Sequence, residues 1–537
     1  MINIDKVGAI GQVRDRQPYQ IPPQAWTLIK NGVCNHGSAQ RILGQEEVFA
    51  GASIDPYWLL PWPTSTEFRW IYAGQDDIYY VTGSTHTKIT RAAGVYDPVS
   101  ATGIYTGGVN NLWNGVLLGL VPVLNNGVDD PQSWDTATLK LVDLPNWPAT
   151  TKCKVMRGFK QFLIALDITE GASRFPYKVW WSDLADPGTV PTTWNRADAS
   201  ALAGDTELAD TPGFLIDGEA LGDTFFIYKE DSVWAMQFIG GVFVFKFSPV
   251  FRDFGILAQR CVKEFEGQHF VVTQSDVKVH NGQSHRSVIN EQDRIALFND
   301  IDPANRDKVF VAHHRAHSEM WICYPNSNAT AGIPNQAAVW NWDAQTWGHR
   351  DLPDVPHIGT GLISEGTSSP FINDVSTLID NDTSIIDGIR FSATEVKMLA
   401  TSRAAQKFYQ MNLTNTFDGT VFTTKFEREG LAIAGQGADG ALQVDPTLQK
   451  FIRSVYPKVE VATGAIVNVY VGSQNRVEEA VTWYGPFAFK PSSGQIKIDC
   501  RVNGKLISVR FESTGDTSFE MTGYHLDMEI IGAPWPA

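Results

Sequence analysis

An all-β fold is what this sequence predicts, and three observations predict it. Short aromatic and β-branched runs recur along most of the chain, and these residue types fit a pleated, half-buried surface. Between the runs stand clusters of Asp, Asn, Ser and Gly, which are turn chemistry. Glycine (46) and proline (28) are frequent, which calls for many turns, whereas helical periodicity is sparse, with Asp445 to Phe451 the one short helix expected. At 537 residues the chain exceeds one ordinary compact domain, so two or three domains or one large repeat architecture is expected.

Residues 1 to 65 carry little periodicity and several prolines, including Pro22, Pro23, Pro56, Pro61 and Pro63, with Trp58 and Trp62 among them. Disordered tails are poor in Trp, Ile and Leu, so this is an extended N-terminal segment expected to pack on other elements or on neighbouring chains.

From about residue 66 the chain reads as hairpins. The clearest runs from Phe225 to Met236, two apolar arms around Lys229-Glu230-Asp231-Ser232. Looser relatives are Trp70–Ala73 with Ile78–Val81, Gly115–Val121 ending at the Asn125-Asn126-Gly127 turn, and Gln161–Leu166 with Tyr177–Trp181. Then come His269–Thr273 with Val277–His280, Glu319–Tyr324 with Ala337–Trp342, and Val396–Ala400 with Lys407–Met411. Aligned by first strands near 70, 115, 161, 225, 269, 319 and 396, the units are mostly 44 to 50 residues apart. A period of this length with about four short strands is the signature of a propeller blade. The expectation for residues 66 to 420 is therefore a six- or seven-bladed β-propeller with an inserted loop at about 351 to 390, rich in Gly, Ser, Thr and Asp. A pair of β-sandwiches is the alternative, and the even spacing favours the propeller.

Residues 421 to 537 alternate more cleanly, as in Phe451–Val461, Ala465–Gly472, Gln495–Cys500, Leu506–Phe511 and Gly523–Ile531. Period two with polar outward positions predicts an additional C-terminal antiparallel, β-sandwich-like domain.

The net charge is −16, which does not support a sequence-independent grip on nucleic acid through clustered Lys and Arg. An acidic surface instead suits a protein that DNA passes without sticking. The five cysteines, Cys34, Cys153, Cys261, Cys323 and Cys500, are far apart and lack a Cys-x-x-Cys pair, so buried free thiols are expected. The first residues lack a basic and then apolar leader pattern, and the run Val116 to Leu124 is broken by Pro122 and too short to cross a bilayer, so a cytoplasmic, soluble product is expected.

Chemistry is sparse. His313, His314 and His317, with His269, His280 and His285, are the densest histidine group, but 313 and 317 on one strand would lie about 13 Å apart at 3.3 Å per residue, too far to share an ion. Asp300-Ile301-Asp302-Pro303-Ala304-Asn305 lacks the Gly and Glu of a calcium loop. Acidic pairs such as Asp76-Asp77, Asp129-Asp130 and Glu478-Glu479 fall at turns. The phosphate-loop, nucleophile-elbow and zinc-protease patterns are not found. No catalytic, cofactor-binding or metal residue is therefore assigned, and no enzyme activity is expected. Trp181-Ser182-Asp183 through Asp186-Pro187-Gly188 to Trp194 resembles the Asp-box turn of sialidase propellers, where the Asp satisfies backbone donors and the Trp packs between blades; it is read as structural.

Several passages together resemble the tail nozzle, or tail hub, proteins of short-tailed (podovirus-like) bacteriophages. They are Ile21-Pro22-Pro23-Gln24-Ala25-Trp26-Thr27, Asn125 through Asp129-Asp130-Pro131 to Trp134, the loop from Trp181 to Trp194, Pro325 after Trp321–Tyr324, Trp340-Asn341-Trp342, and Phe426 to Leu431. The resemblance implies a virion protein, made in the host cytoplasm, that forms a homo-hexameric ring around a genome-ejection channel. It also implies partners: a portal adaptor ring above, needle, fibre or spike proteins below, and viral DNA passing without sequence-specific binding. From the net charge, the acidic residues of the inserted loop or the tip, not the propeller turns, are expected to face that channel. The competing reading is a glycan-binding or glycan-cleaving propeller, sialidase-like or lectin, in which Trp residues stack on sugar.

Overall fold

The computed structural model describes residues 1–14, 16–64, 67–91, 105–363, 396–436 and 442–531. The protein is nearly all β, as predicted. Among the described residues there are seven four-stranded antiparallel sheets; six are simple meanders that follow one another along the chain, and the seventh is completed by a strand from residues 45 to 48. Sheet I holds Trp58–Pro63, Phe68–Ala73, Ile78–Thr82 and Thr85–Lys88; sheet II holds Asn114–Leu118, Val121–Asn125, Gln132–Asp135 and Lys140–Asp143. Sheet III comprises Thr151–Phe159, Phe162–Glu170, Ser173–Trp181 and Gly204–Glu207, and sheet IV Leu215–Leu221, Thr224–Lys229, Val233–Phe238 and Phe245–Phe251. Sheet V is Val262–Phe265, Gln268–Val272, Val277–His280 and His285–Ser287; sheet VI is Phe310–His314, Glu319–Tyr324, Gln336–Asn341 and Thr346–Asp351. Sheet VII takes Ile358–Gly361, Lys397–Ser402 and Lys407–Met411, and is completed by Gln45–Val48, with Phe408 opposite Val48 and Met411 opposite Gln45.

The first strands of successive sheets touch in a closed cycle, I to VII and back to I. The apolar cores lie between the sheets. Trp58 and Ile71 meet Leu124 and Leu141 between I and II, Phe159 and Ile164 meet Phe225 and Met236 between III and IV, and Tyr72 and Val81 meet Leu399 and Phe408 between VII and I. A larger cluster spans IV, V and VI, including Tyr228, Phe270, Val279 and Trp340. This propeller-like arrangement explains why many second and third strands read so clearly in sequence: they are flanked by neighbouring sheets, and Glu319–Tyr324 is buried at every residue.

The hairpin at Phe225 pairs as expected, Phe225 with Met236 and Tyr228 with Val233. It is, however, the second and third strand of its sheet, and so are the units near 70, 161, 269, 319 and 396. The true first strands precede them. At 115 the reading fails differently: Gly115–Val121 is not one strand, because Gly119 (φ +53°) and Leu120 (φ +76°) turn the chain and Leu118 pairs with Val121. Sheet I begins at Trp58, within the stretch read as the extended N-terminal segment. Within the expected inserted loop, Ile358–Gly361 is instead the first strand of sheet VII; residues 364 to 390 of that loop, with the acidic positions expected to face a channel, lie outside the described residues.

A second body consists of two antiparallel sheets. One contains Gly32–Asn35, Ser38–Arg41, Phe519–Ile531, Gln449–Val461 and Ile498–Gly504, with Ile2–Asp5 also paired to Phe519–Ile531; the other contains Leu28–Lys30, Phe422–Leu431, Leu506–Gly515, Val467–Gln474 and Thr482–Phe489. One shared core joins them, and residues from the start of the chain supply part of it: Ile4, Trp26 and Ile29 pack with Phe426, Val469, Val509 and Tyr524. Trp26 sits 5.4 Å from Phe426 and 6.2 Å from Phe511 between ring centroids, and its indole N–H donates to the Val7 carbonyl at 2.7 Å.

The stretch Asp445 to Phe451 is not a helix. Asp445 accepts from the Thr447 N–H at 2.8 Å, a local side-chain turn that competes with helical bonding, and a strand starts at Gln449. The α-helix among the described residues is Glu291–Asp300, capped by Asn290, whose side chain accepts from Asp293 N–H at 2.9 Å.

Candidate functional site

The ring of first strands encloses an axial cavity of about 400 Å³ to which all seven sheets contribute. Its wall is unlike the apolar cores between the sheets. Sheet III contributes Arg157, sheet IV Asp217 and Glu219, sheet V Lys263 and sheet VI His313; His357 enters just ahead of sheet VII. Glycine lets these strands crowd together: a β-carbon on Gly115 would lie 2.4 Å from the Val123 carbonyl oxygen, and one on Gly218 2.5 Å from the Phe225 ring.

The charges are ordered. Asp217, 1% exposed, takes an ion pair from Arg157 at 2.7 Å and accepts the Arg260 backbone N–H at 2.7 Å. Burial raises the Glu219 carboxyl above its usual range, against the opposing pull of Lys263 and Arg157. His357 is held neutral by burial and by the cations Arg260, Lys263 and Arg157, and its Nδ1 accepts from Leu59 N–H at 3.2 Å. Burial also lowers His313 to about 4.

The other predicted histidines are dispersed. His269 and His280 meet on the buried Tyr228 between sheets IV and V, and their partners fix the protons. His269 Nε2 donates to the Ala220 carbonyl (3.0 Å), so its Nδ1 accepts from the Tyr228 hydroxyl (2.7 Å). The phenol oxygen then accepts from His280 Nε2 (2.6 Å), whose Nδ1 takes the Gly282 N–H (3.2 Å). Both rings are neutral; burial pushes His269 down to about 4 and His280 to about 3. His314 stacks on His317 at 4.5 Å, and His285 lies 3.3 Å from Asp253. Residue 317 is not on the strand of 313, because the chain leaves it at His314 for a 3-10 turn. Among the described residues, no group of three or more His, Cys, Asp or Glu is arranged to hold a metal ion. Asp302 instead caps the turn that follows it, accepting from Ala304 N–H at 3.0 Å.

All five cysteines are free; burial raises each thiol, Cys261 to about 12 and Cys500 to about 11. In the Trp181 to Trp194 passage, Asp183 accepts from Leu202 N–H at 2.9 Å and Trp194, 1% exposed, packs 4.7 Å from Trp147. That is the structural role read for it. Of the 17 Trp, Trp535 lies outside the described residues and none of the others is exposed.

What the histidine and acid patterns could not show was the axial wall itself. Its residues lie on seven short strands scattered over three hundred positions. A faint signal exists in the Gly next to charge at Arg157-Gly158 and Asp217-Gly218-Glu219.

No family model matches the sequence, and no curated protein matches it. Among solved structures, the chain is similar to PorZ, an essential bacterial surface component of the type-IX secretion system of Porphyromonas gingivalis, at 9% identity and a TM-score of 0.34. The match covers 72% of this chain and spans 43% of the length of the PorZ chain. No helix among the described residues is long and apolar enough to cross a membrane.

Proposed function

We propose that this chain is a non-enzymatic structural subunit of a short phage tail, a nozzle or hub protein that assembles with its own copies into a ring, typically of six, around the path of the ejected genome. In this reading the seven sheets are the blades of one β-propeller, the two-sheet unit is a β-sandwich, and the partners are an adaptor ring on one side and needle, fibre or spike proteins on the other. The observation that carries it is the tying of the two bodies by residues 1 to 48. That stretch supplies strands to both sandwich sheets and the fourth strand of sheet VII. Between them Asn31 bonds sheet VI three times: its side-chain oxygen accepts from Asp351 N–H at 2.8 Å, its side-chain amide donates to Asp351 Oδ2 at 2.9 Å, and its backbone N–H donates to the His349 carbonyl at 2.7 Å. Arg350 of sheet VI donates to the Leu43 carbonyl (3.4 Å), while Arg41 braces the two-sheet unit itself through the carbonyls of Ser513, Phe422 and Gly515 and reaches Asn415 just ahead of it. Such cross-linking gives a stiff part suited to bearing load.

The axial cavity limits where a genome could run. At about 400 Å³, with the Arg157–Asp217 ion pair on its wall, it cannot pass a double helix, whose major groove alone is about 12 Å wide. The conduit therefore runs between copies, where a net charge of −16 per chain disfavours phosphate contacts. An exposed apolar hairpin tip on sheet IV, with Ile239 at 55% and Phe243 at 78%, supports a subunit that packs against neighbours. The glycan reading has few stacking platforms, since most described Trp side chains are buried and none is exposed.

Negative-stain microscopy and sedimentation of the purified full chain are expected to show closed rings. A chain that stays monomeric at high concentration and binds or cleaves a polysaccharide overturns the proposal.

A further inference from the structure

A small cavity of about 70 Å³ opens beside the axial cavity and shares one wall residue with it, Arg260. Among the described residues its charged lining is Arg260 and Lys308, with no carboxylate; the remaining polar lining includes Tyr57, Gln75 and Asn111, with Trp113 among the apolar side chains. The volume admits a few waters, the size class of one compact polyatomic ion.

Arg260 is 8% exposed, yet its guanidinium has neither a hydrogen bond nor an ion pair with any described residue. Buried arginines are ordinarily paired, because an uncompensated buried charge is costly. The carboxylates nearest in effect are Asp217 and Asp307. The first is already engaged by Arg157 at 2.7 Å and by two backbone N–H groups, and neither comes within ion-pair distance of the Arg260 side chain. The backbone holds the residue in place: φ is +69°, the N–H donates to Asp217 Oδ2 at 2.7 Å, and the carbonyl accepts from Val311 N–H at 2.9 Å. A non-glycine residue in the left-handed region persists only where its surroundings over-determine it, and such residues cluster at binding sites. The guanidinium lies 5.7 Å from the Phe310 ring centre, which restrains the fork. Lys308 Nζ spends two of its three donors on neutral acceptors, Asn305 Oδ1 at 2.9 Å and the Ala331 carbonyl at 3.2 Å. Two cations therefore line one small cavity with no carboxylate between them among the described residues.

We propose that this cavity is an oxyanion site, in which the Arg260 guanidinium takes a phosphate or carboxylate group bidentately and Lys308 supplies the second positive charge. A planar fork matched to two oxygens is the geometry for which arginine is used over lysine.

The test uses the full chain in a chloride buffer free of other anions, with thermal unfolding and calorimetry against inorganic phosphate in one arm and acetate or benzoate in the other. A midpoint that rises with the logarithm of anion concentration is expected in at least one arm. Phosphate alone, carboxylate alone or both identify which oxyanion the site accepts. Arg260→Gln is expected to weaken binding about tenfold or more and Arg260→Lys less, with Lys308→Gln weaker by several-fold. Without added oxyanion, Arg260→Gln should unfold at or above the wild-type midpoint, since it removes an unpaired buried charge. Binding in neither arm, equal binding by Arg260→Gln, or a midpoint that falls on that substitution without oxyanion overturns the proposal. Should Arg260→Gln fail to fold, that too assigns Arg260 a structural role and overturns it.

Discussion

The ring of seven sheets and the two-sheet unit are built from the same antiparallel strands but hide their polar groups in opposite ways. In the two-sheet unit the faces meet across one apolar core, and Trp26 at its centre spends its only donor on a backbone carbonyl. In the ring the apolar cores are divided among the gaps between sheets, while the inner edge carries charge and neutral imidazole around the axial cavity. A closed circle of sheets cannot fill its own axis with apolar side chains from all sides at once, so glycine and ordered polar pairs take that place. The ring's polar networks thus gather at its axis, whereas those of the two-sheet unit, such as Arg41 and Lys450 on backbone carbonyls, lie around its apolar core.

The sharpest way to break this comparison is Trp26→Ala. It should destabilise the two-sheet unit by roughly 3–5 kcal/mol, and in urea its unfolding transition should move while that of the ring holds; a common shift of both would show that they unfold as one. Arg157→Met strands the carboxylate of Asp217 at the axis and should cost the ring about 3 kcal/mol or more, read from the same denaturant curves. Tyr228→Phe leaves a histidine acceptor and a histidine donor unpaired in a dry interior, for about 1–3 kcal/mol.

Acid should discriminate the two bodies further. His269 and His349 at about 4 and His280 at about 3 stay neutral in the folded ring, whereas the unfolded imidazole protonates near 6.5. Because the folded values are depressed, this stability is complete above about 6.5 and is lost as pH falls towards 4 and then 3. Hydrogen exchange followed from pH 7 to 4 should show the ring loosening first, and equal loss in both bodies would contradict the division drawn here. The smallest effect on folding is expected from Phe243→Asp, within about 0.5 kcal/mol because the side chain is at the surface, together with a loss of self-assembly seen by sedimentation.

Legibility in the sequence followed the same division. The two-sheet unit announced itself by alternation, as in Val467–Gln474, because one face of each strand is wet. In the ring, most second and third strands were legible because their middle residues are apolar and buried, as in Phe162–Leu166 and Met320–Tyr324. The first strands were not, since Asp217-Gly218-Glu219 and Ile358–Gly361 face a polar axis and read as turn chemistry. Gln45–Val48 was equally hidden: Gln45-Glu46-Glu47 is an exterior strand whose partner lies more than three hundred residues away. Arg260 escaped notice for a simpler reason. A lone arginine has no sequence pattern, and only its burial without a partner marks it.

The strand Gln45–Val48 also sets an order of events. A chain emerging from the ribosome presents this strand and Trp26 first, yet their partners at Lys407–Met411 and Phe422–Phe519 come last. Until then six sheets can stack into an open arc with an unpaired edge, and neither body can be finished. Closure of the ring and completion of the second core are thereby deferred to the same late stretch of synthesis, a topology of high contact order that folds slowly. It follows that neither half of the gene alone encodes a complete body.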